Sequence, residues 1–143
     1  MSEIFARINL SKTNYSLYKH AELLTKPNFQ QIDKIYTDYC RYKKFESVMP
    51  LFEEDITSPR SDIIGYYDNN ELVAFSFYHN FDANNVEAIQ FAWNYNNPKL
   101  TLGIKSLRHE CAYYKAKGVD NIYLGYADEY KKALDGFEIC PPR

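Results

Sequence analysis

The sequence predicts a single α/β domain with a mixed sheet and helices on both faces. Residues 62–95 contain three apolar segments separated by polar turns at 68–70 and 80–85, a pattern typical of an antiparallel meander. Residues 98–117 then carry apolar side chains at helical spacing, and a further apolar segment follows at 121–126. A strand reached through a helix pairs in parallel with the strand before that helix, so this order predicts a mixed sheet.

Length and composition narrow the class of protein. A chain of 143 residues can bury one hydrophobic core, so we expect residues 1–143 to form one domain. Its formal net charge of −2 gives no general footprint for nucleic acid. No segment is long and apolar enough to span a bilayer, and the first residues lack the apolar core of a signal peptide. The sequence therefore predicts a cytoplasmic protein with no membrane partner.

Cysteine and tyrosine usage adds two expectations. The three cysteines include no CxxC pair, so we expect neither a metal site nor a disulfide framework. Fourteen tyrosines make the chain tyrosine-rich, and a phenol combines a packing ring with a hydroxyl that needs a partner. Tyrosine-rich strand faces explain this composition, and a phenol-lined groove is the alternative. A platform for single-stranded nucleic acid is a weaker third hypothesis, because the chain has no basic excess.

The first half of the chain predicts one strand and two helices. Residues 4–10 suit a strand, and residues 17–25 predict a short helix capped within 14–16. Pro27 is placed to open the next helix, whose apolar stripe runs from Ile32 to Cys40. Residues 46–60 predict an irregular connection, either an ordinary surface segment or a loop over a site.

The second half continues with the meander, the long helix and the parallel strand. Gly118 is expected to cap that helix at its C-terminus. Residues 127–134 predict a further short helix and residues 136–140 a last strand. Residues 91–95 and 122–126 are expected to lie side by side in parallel and to part at their ends, which leaves a V-shaped slot.

Several short motifs resemble one known superfamily. They are Leu72-Val73-Ala74, Phe91-Ala92-Trp93-Asn94-Tyr95, Leu102-Gly103 and Ile122-Tyr123-Leu124-Gly125-Tyr126. Together with the order of elements they resemble the GNAT acyltransferases, and most closely the C-terminal domain of arginyl- and leucyl-tRNA–protein transferases. The resemblance implies a GNAT-like fold. It also implies transfer of an acyl or aminoacyl group, from acetyl-CoA, another acyl-CoA or aminoacyl-tRNA, to the amine of a small molecule or peptide.

The sequence also departs from the family pattern. The cysteine-rich N-terminal region of the tRNA–protein transferases is absent. The donor loop of GNAT enzymes, Gln/Arg-x-x-Gly-x-Gly/Ala, falls on residues 98–103, where only Gly103 is retained. A threonine at Thr101 makes close approach to the backbone harder than a glycine would.

The resemblance places a donor site at the end of the third meander strand and the start of the long helix. Its residues are Trp93, Asn94, Tyr95, Lys99, Thr101, Leu102 and Gly103. Donor amides would pair with the exposed strand edge, and helix N–H groups would face an anion. For Trp93 the alternative is packing in the core, and for Gly103 it is tight contact between helix and sheet.

Proton transfer in such a reaction requires a base and an acid. Glu87 and His79 are the candidate bases near the acceptor amine, and Glu87 is preferred. Tyr126 and Tyr130 are the candidate acids, with ordinary sheet-edge or helix-flank phenols as the alternative. His20 and His109 are interpreted as surface helix positions.

Two functions remain open from the sequence. The first is a transferase, which with an aminoacyl-tRNA donor would need a basic rim. That rim would comprise Arg41, Lys43, Lys44, Lys99 and Lys105. The second is a non-catalytic GNAT-like binding or assembly domain with a degraded donor loop. The sequence predicts six strands where the family has seven, so a second copy of the chain in a homodimer is one way to cover the open edge.

Overall fold

A computed structural model describes residues 5–43, 50–80, 82–94, 101–126 and 134–140. The strands are β1 (Phe5–Asn9), β2 (Ala21–Leu23), β3 (Ser61–Asp68), β4 (Glu71–Asn80), β5 (Asn85–Trp93), β6 (Asn121–Tyr126) and β7 (Phe137–Cys140). The helices are α1 (Phe29–Lys43), α2 (Glu53–Ile56) and α3 (Leu102–Ala116), and a 3-10 turn spans Leu10–Lys12.

The seven strands form one mixed sheet in the order β2-β3-β4-β5-β6-β1-β7. Strands β3, β4 and β5 form the predicted antiparallel meander, and β6 pairs in parallel with β5. These pairings confirm the predicted α/β class with its mixed sheet.

Strand β1 has a position that the sequence did not predict. It lies inside the sheet, antiparallel to both β6 and β7. Its residues Ala6 and Ile8 are fully buried. Because β1 pairs with β6 within the same chain, no second copy is needed to cover β6. The edge strands of the described sheet, β2 and β7, have three and four residues, and short edges limit unwanted pairing.

Helices cover both faces of the sheet, as predicted. Residues that alternate along β4 divide between two cores, with Ala74 and Tyr78 on one face and Phe75 and Phe77 on the other. The first core includes α3, and we call this side the α3 face. The second includes α1 and α2, and we call it the α1 face.

The predicted short helix at residues 17–25 is wrong. Leu17 is 63% exposed, and residues 21–23 form β2, which pairs with Ile64 and Tyr66 of β3. The three residues of β2 are extended because they pair with β3. No local pattern in the sequence indicates this pairing, so the sequence predicted a helix instead. The start of α1 also differs, since Asn28 accepts a hydrogen bond from the N–H of Gln31 (3.2 Å) and so caps the helix after Pro27.

The remaining expectations have mixed outcomes. The apolar stripe of α1 is buried from Ile32 to Cys40, and Gly118 follows α3 with φ of +85°, so both predictions are confirmed. Residues 53–56 of the expected irregular connection form α2, and Ile56 is buried there. The helix predicted at 127–134 falls almost wholly outside the described residues. Within the described part of the chain, no helix combines the length and apolarity that crossing a bilayer requires.

Candidate functional site

Strands β5 and β6 separate after a short parallel contact. Asn85 to Glu87 pair with Asn121 to Tyr123, and beyond these pairs β5 continues to Trp93 and β6 to Tyr126 without pairing with each other. The predicted parallel pairing of these two strands is therefore confirmed, and we call the space between their parts that do not pair with each other the slot. The predicted register is wrong, because Val86 and not a residue of 91–95 lies opposite Ile122. Both of these side chains are fully buried, and their place in the core fixes the register.

Main-chain groups of β5 are directed into this slot. The N–H of Asn94 donates to the carbonyl of Val73 in β4 (3.0 Å), so the main chain of Asn94 faces away from β6. The N–H and C=O groups of successive residues in a strand point to opposite sides. Those of Trp93 and Phe91 therefore point toward β6. The expectation that the main chain of Asn94 faces the slot is corrected accordingly. Gln90 Nε2 donates a hydrogen bond to the Phe91 carbonyl (2.8 Å). The side chain thus takes the place of the N–H donor that a paired β6 would supply.

The start of α3 contains Gly103, where the described residues leave room for a side chain. A Cβ atom added to Gly103 would meet no atom of the described residues within 4 Å, so these residues do not form the tight packing that was the alternative at Gly103. Thr101 adopts φ 47° and ψ 46°, a left-handed conformation that β-branched residues rarely take. The Leu102 side chain is fully buried, so only its main chain is placed to contact a ligand. The first N–H groups of a helix lack partners within the helix, which favours an anion here.

A row of polar side chains crosses the α1 face at the closed end of the slot. Strand pairing places one residue from each of six adjacent strands in this polar row: Ser61, His79, Glu87, Tyr123, Arg7 and Glu138. Their neighbours Tyr78, Val86, Ile122 and Ile8 all belong to the core on the α3 face. Alternation along each strand therefore turns the polar row to the opposite face. The two candidate bases, Glu87 and His79, are direct neighbours in it.

Arg7 is the anchored cation of the polar row. Its Nε donates to Oε1 of Glu138 (3.0 Å), and Lys12 Nζ contacts Oε2 of the same carboxylate (3.2 Å). Hydrogen bonds with the Tyr123 hydroxyl and then with Glu138 raise the pKa of Arg7. Hydrogen bonds from Lys12 and Arg7 lower the pKa of Glu138. The guanidinium is therefore held between a phenol and a carboxylate at the surface.

A buried carboxylate on α3 was missed by the sequence analysis. Glu110 is 3% exposed and accepts hydrogen bonds from the hydroxyls of Tyr66, Tyr78 and Ser76, the last at 2.5 Å. Burial, followed by the nearby Glu110 charge, raises the pKa of Tyr66 and Tyr78. A signal was present in the sequence, since Glu110 shares the helical stripe of Leu107, Cys111 and Tyr114. The cluster lies beneath β3 and β4, where Ser76 is the strand partner of Phe91 in β5, and we assign it to the core.

The histidine predictions also need correction. His109 is buried and accepts a hydrogen bond at Nδ1 from the N–H of Tyr18 (2.9 Å). Its ring stacks on Tyr113, and burial lowers its pKa. Segment 13–20 folds over α3 and covers this position, which helix periodicity alone does not reveal. His20 is exposed as expected, in a turn and not in a helix.

Several predicted residues are not placed. Tyr95, Lys99, Tyr130 and Lys44 lie outside the described residues, and of Tyr126 only the backbone is described. Trp93 is half-buried and packs against the core on the α3 face.

The described members of the predicted basic rim lie on two helices. Arg41 and Lys43 are on α1 and Lys105 is on α3, so the sheet separates them. A single basic surface for tRNA gains no support from this placement.

Comparison with known proteins gives structural likeness only. Neither a protein-family model nor a curated protein matches the sequence. The C-terminal DUF2156 domain of an Agrobacterium fabrum protein, described as a lysylphosphatidylglycerol synthetase, is similar with a TM-score of 0.69 and 11% identity, over 87% of this chain and 47% of that chain. The structure of L-PGS from Bacillus licheniformis is similar with a TM-score of 0.69 and 14% identity, over 92% and 49% of the two chains.

A third structure extends the likeness to acetyltransferases. It is a Novosphingobium aromaticivorans protein described as an acetyltransferase from the GNAT family, with a TM-score of 0.64, 14% identity and coverage of 97% of this chain and 60% of that one. The chain therefore has a GNAT-like α/β fold, as the sequence predicted. It spans about half the length of the first two structures. None of the three is a tRNA–protein transferase, so that closer resemblance stays a prediction.

Proposed function

We propose that the chain carries the transfer site of a GNAT-type acyltransferase. The group transferred is acyl from acetyl-CoA or another acyl-CoA, or aminoacyl from tRNA, and the acceptor is an amine. The observation that carries this proposal is the separation of β5 from β6, and the room that the described residues leave around Gly103 at the start of α3 supports it. A parallel strand pair that parts over an exposed main chain is an arrangement suited to a linear ligand with amide groups.

The dimensions of the slot fit an elongated donor. From Glu87 at the closed end to Trp93 at the open end there are six residue steps, or roughly 20 Å at about 3.3 Å per residue. Amides of the donor would pair with the main chain of Phe91 and Trp93. Its anionic part would lie against the N–H groups at Leu102 and Gly103. This arrangement would deliver the reactive carbonyl to the polar row.

The chemistry requires little from side chains. Glu87 is exposed at the closed end and would accept a proton from the ammonium group of the acceptor. The amine nitrogen then attacks the acyl carbonyl, whose oxygen is polarised by main-chain N–H groups of the slot. Tyr126 and Tyr130 stay the sequence-based candidates for protonating the leaving atom. Lysylphosphatidylglycerol, named for one similar structure, contains a lysyl group, which supports including aminoacyl donors.

A second candidate function is a non-catalytic GNAT-like binding domain. Two observations favour it. Thr101 takes a left-handed conformation where a glycine would let a phosphate approach, and Gln90 already occupies the Phe91 carbonyl in the slot. Both features would oppose a donor that binds as the family resemblance implies.

A thermal-shift titration with CoA, acetyl-CoA and aminoacyl-tRNA tests the proposal. A ligand at one hundred times its Kd stabilises the folded protein by about 2.7 kcal/mol, which is readily measured. Two variants at the open Gly103 position serve as matched probes. Gly103→Ala adds only a methyl group, whereas Gly103→Asp places a carboxylate at the helix start without a steric clash.

The expected result is a shift with at least one donor that weakens in Gly103→Ala and disappears in Gly103→Asp, while both variants remain folded. Absence of a shift with every donor contradicts transfer and leaves the binding-domain candidate. A shift that Gly103→Asp retains places the ligand elsewhere.

A further inference from the structure

The polar row meets the slot at one pair of residues. Glu87 and Tyr123 form the last residue pair before β5 and β6 separate. Side chains of paired residues project from the same face of a sheet, so the carboxylate and the phenol flank the closed end on the α1 face. Glu87 is exposed and Tyr123 is half-buried, so both can contact a ligand at this end.

Tyr123 has a cationic neighbour, the side chain of Arg7. The next strand supplies Arg7, which is the strand partner of Tyr123 and whose pKa is raised by interaction with the Tyr123 hydroxyl. Arg7 is in turn held by Glu138 at 3.0 Å, and its side chain is 37% exposed. A cation that remains beside a phenol stabilises the phenolate that forms when the phenol gives up its proton. Tyr123 can thus donate a proton, and the guanidinium of Arg7 stabilises the phenolate that remains.

We propose, on the basis of the transferase function above, that Tyr123 is the catalytic acid that protonates the leaving atom and that Arg7 is its positioning residue. Glu87 receives the first proton of the acceptor ammonium. The C–N bond then forms, and the bond from the acyl carbon to the leaving sulfur or oxygen breaks. The electron pair stays on the leaving atom, which takes the Tyr123 proton.

Protons balance over the cycle. The ammonium loses two protons, of which the first reaches solvent through Glu87. The second leaves the nitrogen as the tetrahedral intermediate collapses, and it restores the Tyr123 phenol. One proton per turnover is released, as amide formation from an ammonium and a thioester requires.

The test compares substitutions at the two residues with a matched tyrosine control. Tyr123→Phe removes the hydroxyl, Arg7→Met removes the charge, and Arg7→Lys retains it. Tyr113→Phe is the control, because Tyr113 is a half-buried tyrosine on α3 outside the polar row. The probes are acetyl-CoA with a panel of primary amines, read as thiol release, and aminoacyl-tRNA as the second donor. Donor binding is measured in parallel by thermal shift.

In Tyr123→Phe we expect donor affinity within about twofold of the original protein and kcat lower by about 10²–10⁴-fold. The alkaline limb of the kcat–pH profile should disappear in this variant. Arg7→Met should lower kcat by about tenfold and shift that limb, and Arg7→Lys should restore part of the rate. Tyr113→Phe should match the original protein.

Two other results overturn the inference and are distinguishable. If Tyr123→Phe retains the original kcat and pH profile, the acid is another residue and the transferase function stands. If the original protein transfers nothing from either donor, the transferase function fails and this inference fails with it.

Discussion

Replacing the buried Glu110 with alanine should destabilise the fold strongly. The carboxylate accepts hydrogen bonds from Tyr66, Tyr78 and Ser76 while only 3% exposed. Tyr66 keeps a second acceptor, the Ser106 carbonyl at 3.2 Å, so two buried hydroxyls lose their partner in Glu110→Ala. An unsatisfied buried polar group costs about 1–3 kcal/mol, which gives about 2–6 kcal/mol for the two. Removing the desolvated carboxylate offsets part of this cost, and we expect a net loss of about 3–4 kcal/mol.

Urea unfolding followed by the fluorescence of the single tryptophan, Trp93, measures this loss directly. Glu110→Gln retains one oxygen for Tyr66 and Ser76 but presents N–H groups to Tyr78, so a smaller loss of about 1–2 kcal/mol is expected. Exposed Glu22 provides the control, and Glu22→Ala should change the free energy of unfolding by less than about 0.5 kcal/mol. A loss below about 1 kcal/mol in Glu110→Ala would refute the reasoning, because the hydroxyls would then have other partners.

Three further predictions concern the site and its surroundings. Thr101→Gly removes the strain of a β-branched residue in a left-handed conformation, which costs the folded state about 1–2 kcal/mol. Glycine also gives the unfolded chain more conformational freedom, which offsets part of this gain in stability. We expect the free energy of unfolding to rise by about 0.5–1 kcal/mol in calorimetry, and a fall would show that the threonine side chain matters more than its strain. Gln90→Ala frees the Phe91 carbonyl in the slot, so donor affinity in a thermal-shift titration should increase, and weaker binding would assign Gln90 to the ligand contact. The pKa of His109 is lowered by burial, so the folded state binds protons less readily than the unfolded chain. The free energy of unfolding should therefore be highest above about pH 6.5 and should fall as the pH drops below that value. In urea titrations from pH 7.5 to 5, this fall should be smaller for His109→Gln than for the original protein.

Local patterns were sufficient for much of the fold. The apolar stripe from Ile32 to Cys40 predicted α1, and polar turns between apolar segments predicted the meander. Both signals depend on residues close in sequence, with periods set by the helix or the strand itself. The short strand β2 carries no such signal, because three residues are extended only through pairing with β3.

Features of the site depend on contacts between distant residues, and the sequence could not supply them. The register of β5 against β6 is set by burial of Val86 and Ile122, 36 positions apart, so the slot was predicted but misplaced. Arg7 joins the polar row only because β1 pairs with β6. Glu110 was missed for a related reason, since its hydroxyl partners lie 32 to 44 positions away.

We propose that an acyl donor binds in the slot between β5 and β6, along the main chain of β5. Amide ¹H–¹⁵N NMR spectra recorded during titration with CoA, acetyl-CoA and aminoacyl-tRNA test it most directly. We predict that one donor shifts the amide signals of Phe91, Trp93 and Gly103 while those of α1 stay unchanged. Unchanged signals with all three donors, or shifts confined to residues outside the slot, would contradict the account.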